Sequence, residues 1–210
     1  GQVLALGFKK LGLTTAPMPM AINSREYKGR KACLYDGWCD AGCPIGALAN
    51  PLVTYLPRAL AAGAEIRHES TVASVNHDGS GRRATSVDYF DSEGTLHQVM
   101  GKQIFLCAFA VQNARILLNS RSKKYSNGMS NTNDMVGRYL MTHPAQTVVG
   151  LMKDETQPHL GPTGGQLICH DNYANKEQAK NAFGSYQWLI ANAVKPNDLL
   201  GIANSRPDII

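Results

Sequence analysis

The stretch "KQIFLCAFAVQNARILLNS", residues 102–120, decides how this chain is read. Ile104 to Ala110 form a continuous apolar run. A run without polar alternation suits a strand covered on both faces, the pattern of a parallel sheet. It passes directly into residues 111–120, an amphipathic helical pattern. A strand flowing into a helix is one βα unit of a doubly wound α/β fold. The chain holds no G-x-G-x-x-G, so the stretch taken alone fits any buried βα unit better than a cofactor site. Gly79-Ser80-Gly81 lies in a hairpin-like loop and precedes no helix.

Upstream, Val3, Leu4, Leu6, Phe8 and Leu11 recur at helical spacing, with Gly12 as the stop. Pro17 and Pro19 hold the next segment extended. Residues 51–62 read as a helix with Pro51 in its first turn, Pro57 as a point of kinking and Gly63 as its end. Strands are expected at 64–70, 71–78, 85–91 and 96–101, with turns at 78–83 and 92–94. Residues 133–144 read as a short helix ended by Pro144, and 145–154 as a strand. From about residue 151 Gly, Pro and Asn become frequent and periodicity fades. The expected organisation is one region over 1–145 and a second, irregular one over 146–210.

Composition bounds the function. The 210 residues are 43% hydrophobic and 18% charged, as in a globular protein, and no apolar run is long enough to span a bilayer. The 21 basic and 16 acidic residues give a net charge of +5. The basic residues are spread in short pairs such as Arg82-Arg83 and Lys123-Lys124, which gives no support to nucleic-acid binding. The chain opens on Gly1 inside a helical pattern, the expectation for an internal piece of a longer protein.

Three of the five cysteines, Cys33, Cys39 and Cys43, fall within eleven residues on a Gly-rich loop, 29–47, and Pro44 follows them. Glycines let such a loop wrap closely, with backbone amides turned inward toward a sulfide-bridged cluster. Three thiolates are one short of the usual set for a cubane or a structural zinc site, but enough for a three-iron cluster. Cys107 and Cys169 are poor fourth ligands, one on the expected buried strand and the other in the irregular region. A disulfide within the trio, or three plain buried thiols, fits the spacing as well. Among the six histidines His143 stands out, just before Pro144, while His68, His77 and His97 read as surface groups on strands. A lone histidine is more often structural than catalytic, and no Ser-His-Asp arrangement can be assembled.

Taken together, "GRKACLYDGWCDAGCPIGALANP" (29–51), "AEIRHESTVASV" (64–75), "IFLCAFAVQNARILLNS" (104–120) and "NDMVGRYLMTHP" (133–144) resemble a glucose-methanol-choline family flavoprotein. The branch most similar is that of the bacterial sugar and sugar-acid dehydrogenases, the gluconate, sorbitol and fructose dehydrogenase large subunits. The tail "GIANSRPDII" (201–210) fits that branch as well. The resemblance implies an α/β chain: part of a doubly wound FAD-binding domain (1–145), then the start of an α+β substrate domain (146–210).

It also implies an FAD enzyme that oxidises a CH–OH group of a sugar, polyol or sugar acid. In that branch a three-iron four-sulfur cluster passes electrons to a cytochrome c subunit, and Cys33, Cys39 and Cys43 match its ligands. A small accessory subunit and a place on the periplasmic side of the inner membrane go with it. Val72 matches a position whose backbone meets the adenine of FAD, and Cys107, Ala108, Phe109 and Ala110 match a turn beside the adenosine half. The family usually carries Gly where this chain has Phe109, and Thr-Pro where it has Asn113-Ala114. The family's fingerprint and catalytic histidine match nothing here, so no catalytic residue is assigned, and His143 has no assigned role. Two other readings stand beside this one: a family oxidase without a metal cluster, and a non-catalytic iron–sulfur electron-transfer module.

Overall fold

A computed structural model describes residues 1–39, 42–148, 150, 152–154, 156, 160–162, 165–173, 184–191, 201 and 203–205. The chain divides into two compact units, one of residues 1–64 with 149–210, the other of residues 65–148. Helix and sheet are mixed, in keeping with the α/β class expected from the sequence. Both sheets of the described residues are antiparallel. No helix among the described residues is long and apolar enough to cross a membrane.

In the first unit, helix α1 (Gln2–Lys10) ends where the sequence places its stop. Gly12 takes φ +74°, the left-handed region that costs glycine nothing. Its N–H then reaches Lys9 O at 3.0 Å and that of Leu13 reaches Phe8 O at 2.9 Å, satisfying carbonyls at the helix end. Ala16–Pro17 form strand β1, paired antiparallel with β5 (Gly165–Cys169), which pairs in turn with β6 (Trp188–Ala191). Cys169 is fully buried there, and Phe8 packs edge-on against Trp188 at 5.9 Å.

The expected helix over 51–62 is two pieces. A 3₁₀ turn, Pro51–Val53, is capped by the Asn50 side chain, which accepts the Val53 N–H. Helix α2 (Tyr55–Ala61) starts afresh after Thr54. The break has a cause: Pro57 has no N–H to give to Val53 O, so a continuous helix would lose a bond there. In the first turn of a new helix that N–H has no partner to lose.

The second unit is built on an antiparallel meander, β2 (Thr71–His77), β3 (Ala84–Phe90) and β4 (Leu96–Met100), with helix α3 (Phe109–Asn119) packed on β2. Both turns stand where the sequence reading puts them. Residues 64–70 are not a strand: Glu69 turns at φ +52°, and β3 ends at Phe90 opposite Thr71, so no partner continues the ladder. The core of this unit is small and centres on Val75, Ser86, Ile116 and Ser120.

Further expectations are corrected. Residues 104–107 form no strand and Phe105 is 79% exposed, because no other strand among the described residues lies beside them to take up their backbone groups. Cys107, expected in a buried strand, is exposed. Residues 133–137 hold turns and bends and 138–144 carry no regular structure, so the expected helix does not form. There the Asn131 side chain accepts the Val136 N–H at 2.9 Å, and Asp134, Gly137 and Tyr139 all take positive φ. An asparagine that bonds the local backbone competes with the helical ladder. Residues 145–148, 150 and 152–154 carry no strand, whereas β5 and β6 lie in the stretch expected to be irregular.

Candidate functional site

The cysteine loop is held from below by residues 21–23. The Cys33 N–H donates to Asn23 O at 2.8 Å, the Asn23 N–H to Ala47 O at 3.1 Å, and the Ala49 N–H to Ala21 O at 2.7 Å. Both flanks of the loop are thus tied to one short extended segment. Arg30 braces them from within: one guanidinium nitrogen donates to Gly46 O and the other to the Asn23 Oδ1, each at 3.1 Å. Between these ties the backbone bends through left-handed residues, Tyr35 at φ +58° and Gly37 at φ +71° on one side, Gly42 and Gly46 on the other.

This folding brings Cys33, Cys39 and Cys43 to one cavity of about 10 Å³, shared with Ile22, Ile45 and Leu48. Asp36 adds a carboxylate to its lining. The Tyr35 N–H points at Cys33 Sγ from 3.3 Å, and the Leu48 N–H at Cys43 Sγ from 3.5 Å. Cys43 is held below the ordinary thiol range, chiefly by the Leu48 N–H, against the opposing effect of burial, with help from the amides of Ile45, Ala47 and Gly46. Amides converging on a sulfur favour its charged form. Cys33 and Cys43 form no disulfide. Asp40 and Ala41 lie outside the described residues.

Among the described residues, no three Cys, His, Asp or Glu side chains are close enough together to hold one metal ion. A sulfide-bridged cluster asks for something different, since each thiolate meets its own iron and the sulfurs stand further apart than ligands around one ion. Three thiols line one cavity and two of them receive backbone N–H groups, which is the donor chemistry such a cluster uses.

The residues matched to FAD belong to the second unit. Val72 is half-buried on β2, and Arg115 of α3 donates to its carbonyl oxygen at 2.8 Å. Three residues on, the Val75 N–H reaches Ser120 Oγ at 2.8 Å. Strand and helix therefore run in the same direction, and the start of β2 lies toward the start of α3. Cys107, Ala108, Phe109 and Ala110 are exposed where the chain enters α3. Phe109 sits at φ +65°, the region a glycine would take without cost. For a bulky residue that conformation costs roughly 1–2 kcal/mol. Asn113 holds this turn: its Oδ1 accepts the Ala108 N–H at 2.9 Å and its Nδ2 donates to Leu106 O at 3.1 Å.

His143 is exposed and belongs to no helix or strand. His77, expected at the surface, is half-buried, with its ring nitrogens 2.8 Å from Ser122 Oγ and 2.6 Å from Asp78 O. Sequence reasoning missed Arg30 and Arg115, which act across 16 and 43 residues and leave no local pattern. Asn113 left one signal, its departure from Thr-Pro.

Comparison with known proteins identifies the family. A family model described as GMC oxidoreductase matches residues 2–145. The fructose dehydrogenase large subunit of Gluconobacter japonicus is 31% identical over 149 residues, 71% of this chain and 26% of that protein. The 2-methyl-1,2-propanediol dehydrogenase of Mycolicibacterium austroafricanum is 31% identical over 175 residues, 82% of this chain and 31% of its own length. The gluconate 2-dehydrogenase flavoprotein of Pantoea cypripedii is 27% identical over 207 residues, 93% of this chain and 34% of that protein. The chain thus spans between about a quarter and a third of these relatives. It belongs to the GMC oxidoreductase family.

Proposed function

We propose that this chain is part of a longer FAD-dependent oxidoreductase that oxidises an alcohol group of a sugar, polyol or sugar acid, with Cys33, Cys39 and Cys43 holding a three-iron four-sulfur cluster. FAD, when bound, would supply the hydride acceptor for the alcohol carbon. The cluster supplies one-electron transfer toward a cytochrome c subunit. In this reading residues 1–145 contribute to the FAD-binding domain and 146–210 begin the substrate domain. Val72 and the turn 107–110 lie against the adenosine half of the cofactor. The assembly, with a small accessory subunit, works on the periplasmic face of the inner membrane.

The observation that carries the reading is the meeting of three cysteines at one cavity, in a chain of this family. The sugar and polyol substrates are supported by the names of the relatives. The chain's own part at the cysteine loop is to hold three thiols in place and to turn amides toward two of them, which favours thiolates.

The test is made on the full-length protein, purified anaerobically from its native membranes in mild detergent. Iron, sulfide and low-temperature EPR of the oxidised form are measured, along with co-purifying haem. Cys39→Ser is expected to abolish cytochrome reduction while substrate still reduces the flavin. Iron-free protein that reduces cytochrome at the full rate would sink the cluster. Absence of haem together with fast peroxide production would replace the relay with an oxygen-using oxidase.

A further inference from the structure

The turn into α3 contains an unusual combination. Phe109 occupies the left-handed region at φ +65°, yet the residue is 82% exposed, so no packing within its unit holds it there. What does hold the turn is a side chain from the second turn of the helix. Asn113 reaches back to accept the Ala108 N–H and to donate to Leu106 O, which fixes the backbone immediately before Phe109. The Ala108 N–H is one of the amides that a helix start leaves without an intrahelical partner. With no strand among the described residues beside 104–107, Leu106 O also has no ladder to join. One amide group serves both.

We propose that Asn113 is a positioning residue for the flavin cofactor: it clamps residues 106–109 in the left-handed turn against which the adenosine half of FAD packs. The proposal rests on the reading that residues 107–110 lie beside that half. It goes further in making the two departures, Phe109 and Asn113, one device. A glycine at 109 would take the turn unaided. A phenylalanine takes it only where neighbouring structure over-determines it, and Asn113 is that structure. Ala at 113 leaves the Ala108 N–H and Leu106 O without the clamp, and the turn relaxes toward ordinary φ, moving the backbone that meets the cofactor.

The experiment uses the full-length protein freed of FAD, with Asn113→Ala, Phe109→Gly, Phe109→Ala and the double variant Asn113→Ala/Phe109→Gly. Affinities for FAD and for ADP, which carries the adenosine half alone, are measured by fluorescence titration, and apo-protein melting is followed in parallel. Asn113→Ala is expected to weaken FAD and ADP alike, by tenfold or more. In the Phe109→Gly background the same substitution is expected to cost less than threefold. Phe109→Ala removes the ring but keeps the backbone problem, so it is expected to remain as dependent on Asn113 as the natural chain. Equal losses in both backgrounds, or no loss in either, overturn the clamp. A coupling seen in melting but absent from both affinities leaves the clamp standing and overturns its placement beside FAD, and with it the cofactor role. Should Asn113→Ala fail to fold, the double variant is expected to fold, and its failure overturns the proposal.

Discussion

The Ser120 hydroxyl joins strand to helix at a buried point: it accepts the Val75 N–H at 2.8 Å and donates to Ile116 O at 2.6 Å. Both residues are almost fully covered, Ser120 at 3% exposure and Val75 at 5%. Ser120→Ala leaves a buried N–H with no acceptor. The expected loss is about 1–3 kcal/mol of stability, read as a lower denaturant midpoint at unchanged slope. A midpoint identical to the natural protein's would show that this junction does not hold β2 to α3.

Gly128 is expected to tolerate no side chain. A Cβ there would come within 2.7 Å of Leu117 O and 2.9 Å of Leu118 Cα, both backbone atoms of α3, and the residue sits at φ +103°. Gly128→Ala should therefore cost more than about 1 kcal/mol. Thermal melting checks it, and an unchanged midpoint would contradict the packing of residues 125–129 on the helix.

Asp91 closes the β3–β4 turn, its side chain accepting the Glu93 and Thr95 N–H groups. Its carboxyl is held below the usual range by the hydrogen bond with His97 first, then by the Thr95 and Glu93 amides, against the opposing effect of burial. A carboxylate with a lowered folded pKa adds stability above its unfolded value, about 4, and loses it as pH falls through the folded value. The turn should thus loosen below about pH 4. Asp91→Asn keeps the oxygen that the two amides need but cannot carry the charge, so its melting temperature should vary less between pH 2 and 6 than the natural protein's. An equal slope would exclude this group.

Cys43 should react as a thiolate at lower pH than an ordinary thiol. The amides of Leu48, Ile45, Ala47 and Gly46 outweigh burial at its sulfur. In protein prepared without iron, alkylation of Cys43 followed by mass spectrometry is expected to reach half its limiting rate below the usual thiol range, near 8.5. Linkage has the same sign: this loop gains stability as pH rises from the folded to the unfolded pKa of Cys43. Half-rate at the ordinary value would mean that the amides do not reach the sulfur.

What the sequence determined by itself is what acts over a few residues. Gly12 after a helical run ends α1, and Gly94 with Asp91 turns β3 into β4, because a left-handed residue or a side chain that bonds its own backbone works wherever the rest of the chain goes. The spacing of Cys33, Cys39 and Cys43 put three thiols on one short Gly-rich loop in the same way. Only the tertiary structure decided where strands form, since a strand exists through its partner. Residues 104–107 have the composition of one and no neighbouring strand among the described residues, whereas Gly165–Cys169 is one because Ala16–Pro17 and Trp188–Ala191 lie alongside it. It also decided the sites. Arg30 reaches Gly46 across 16 residues and Arg115 meets Val72 across 43, and no local pattern records pairs that only folding brings within hydrogen-bonding distance.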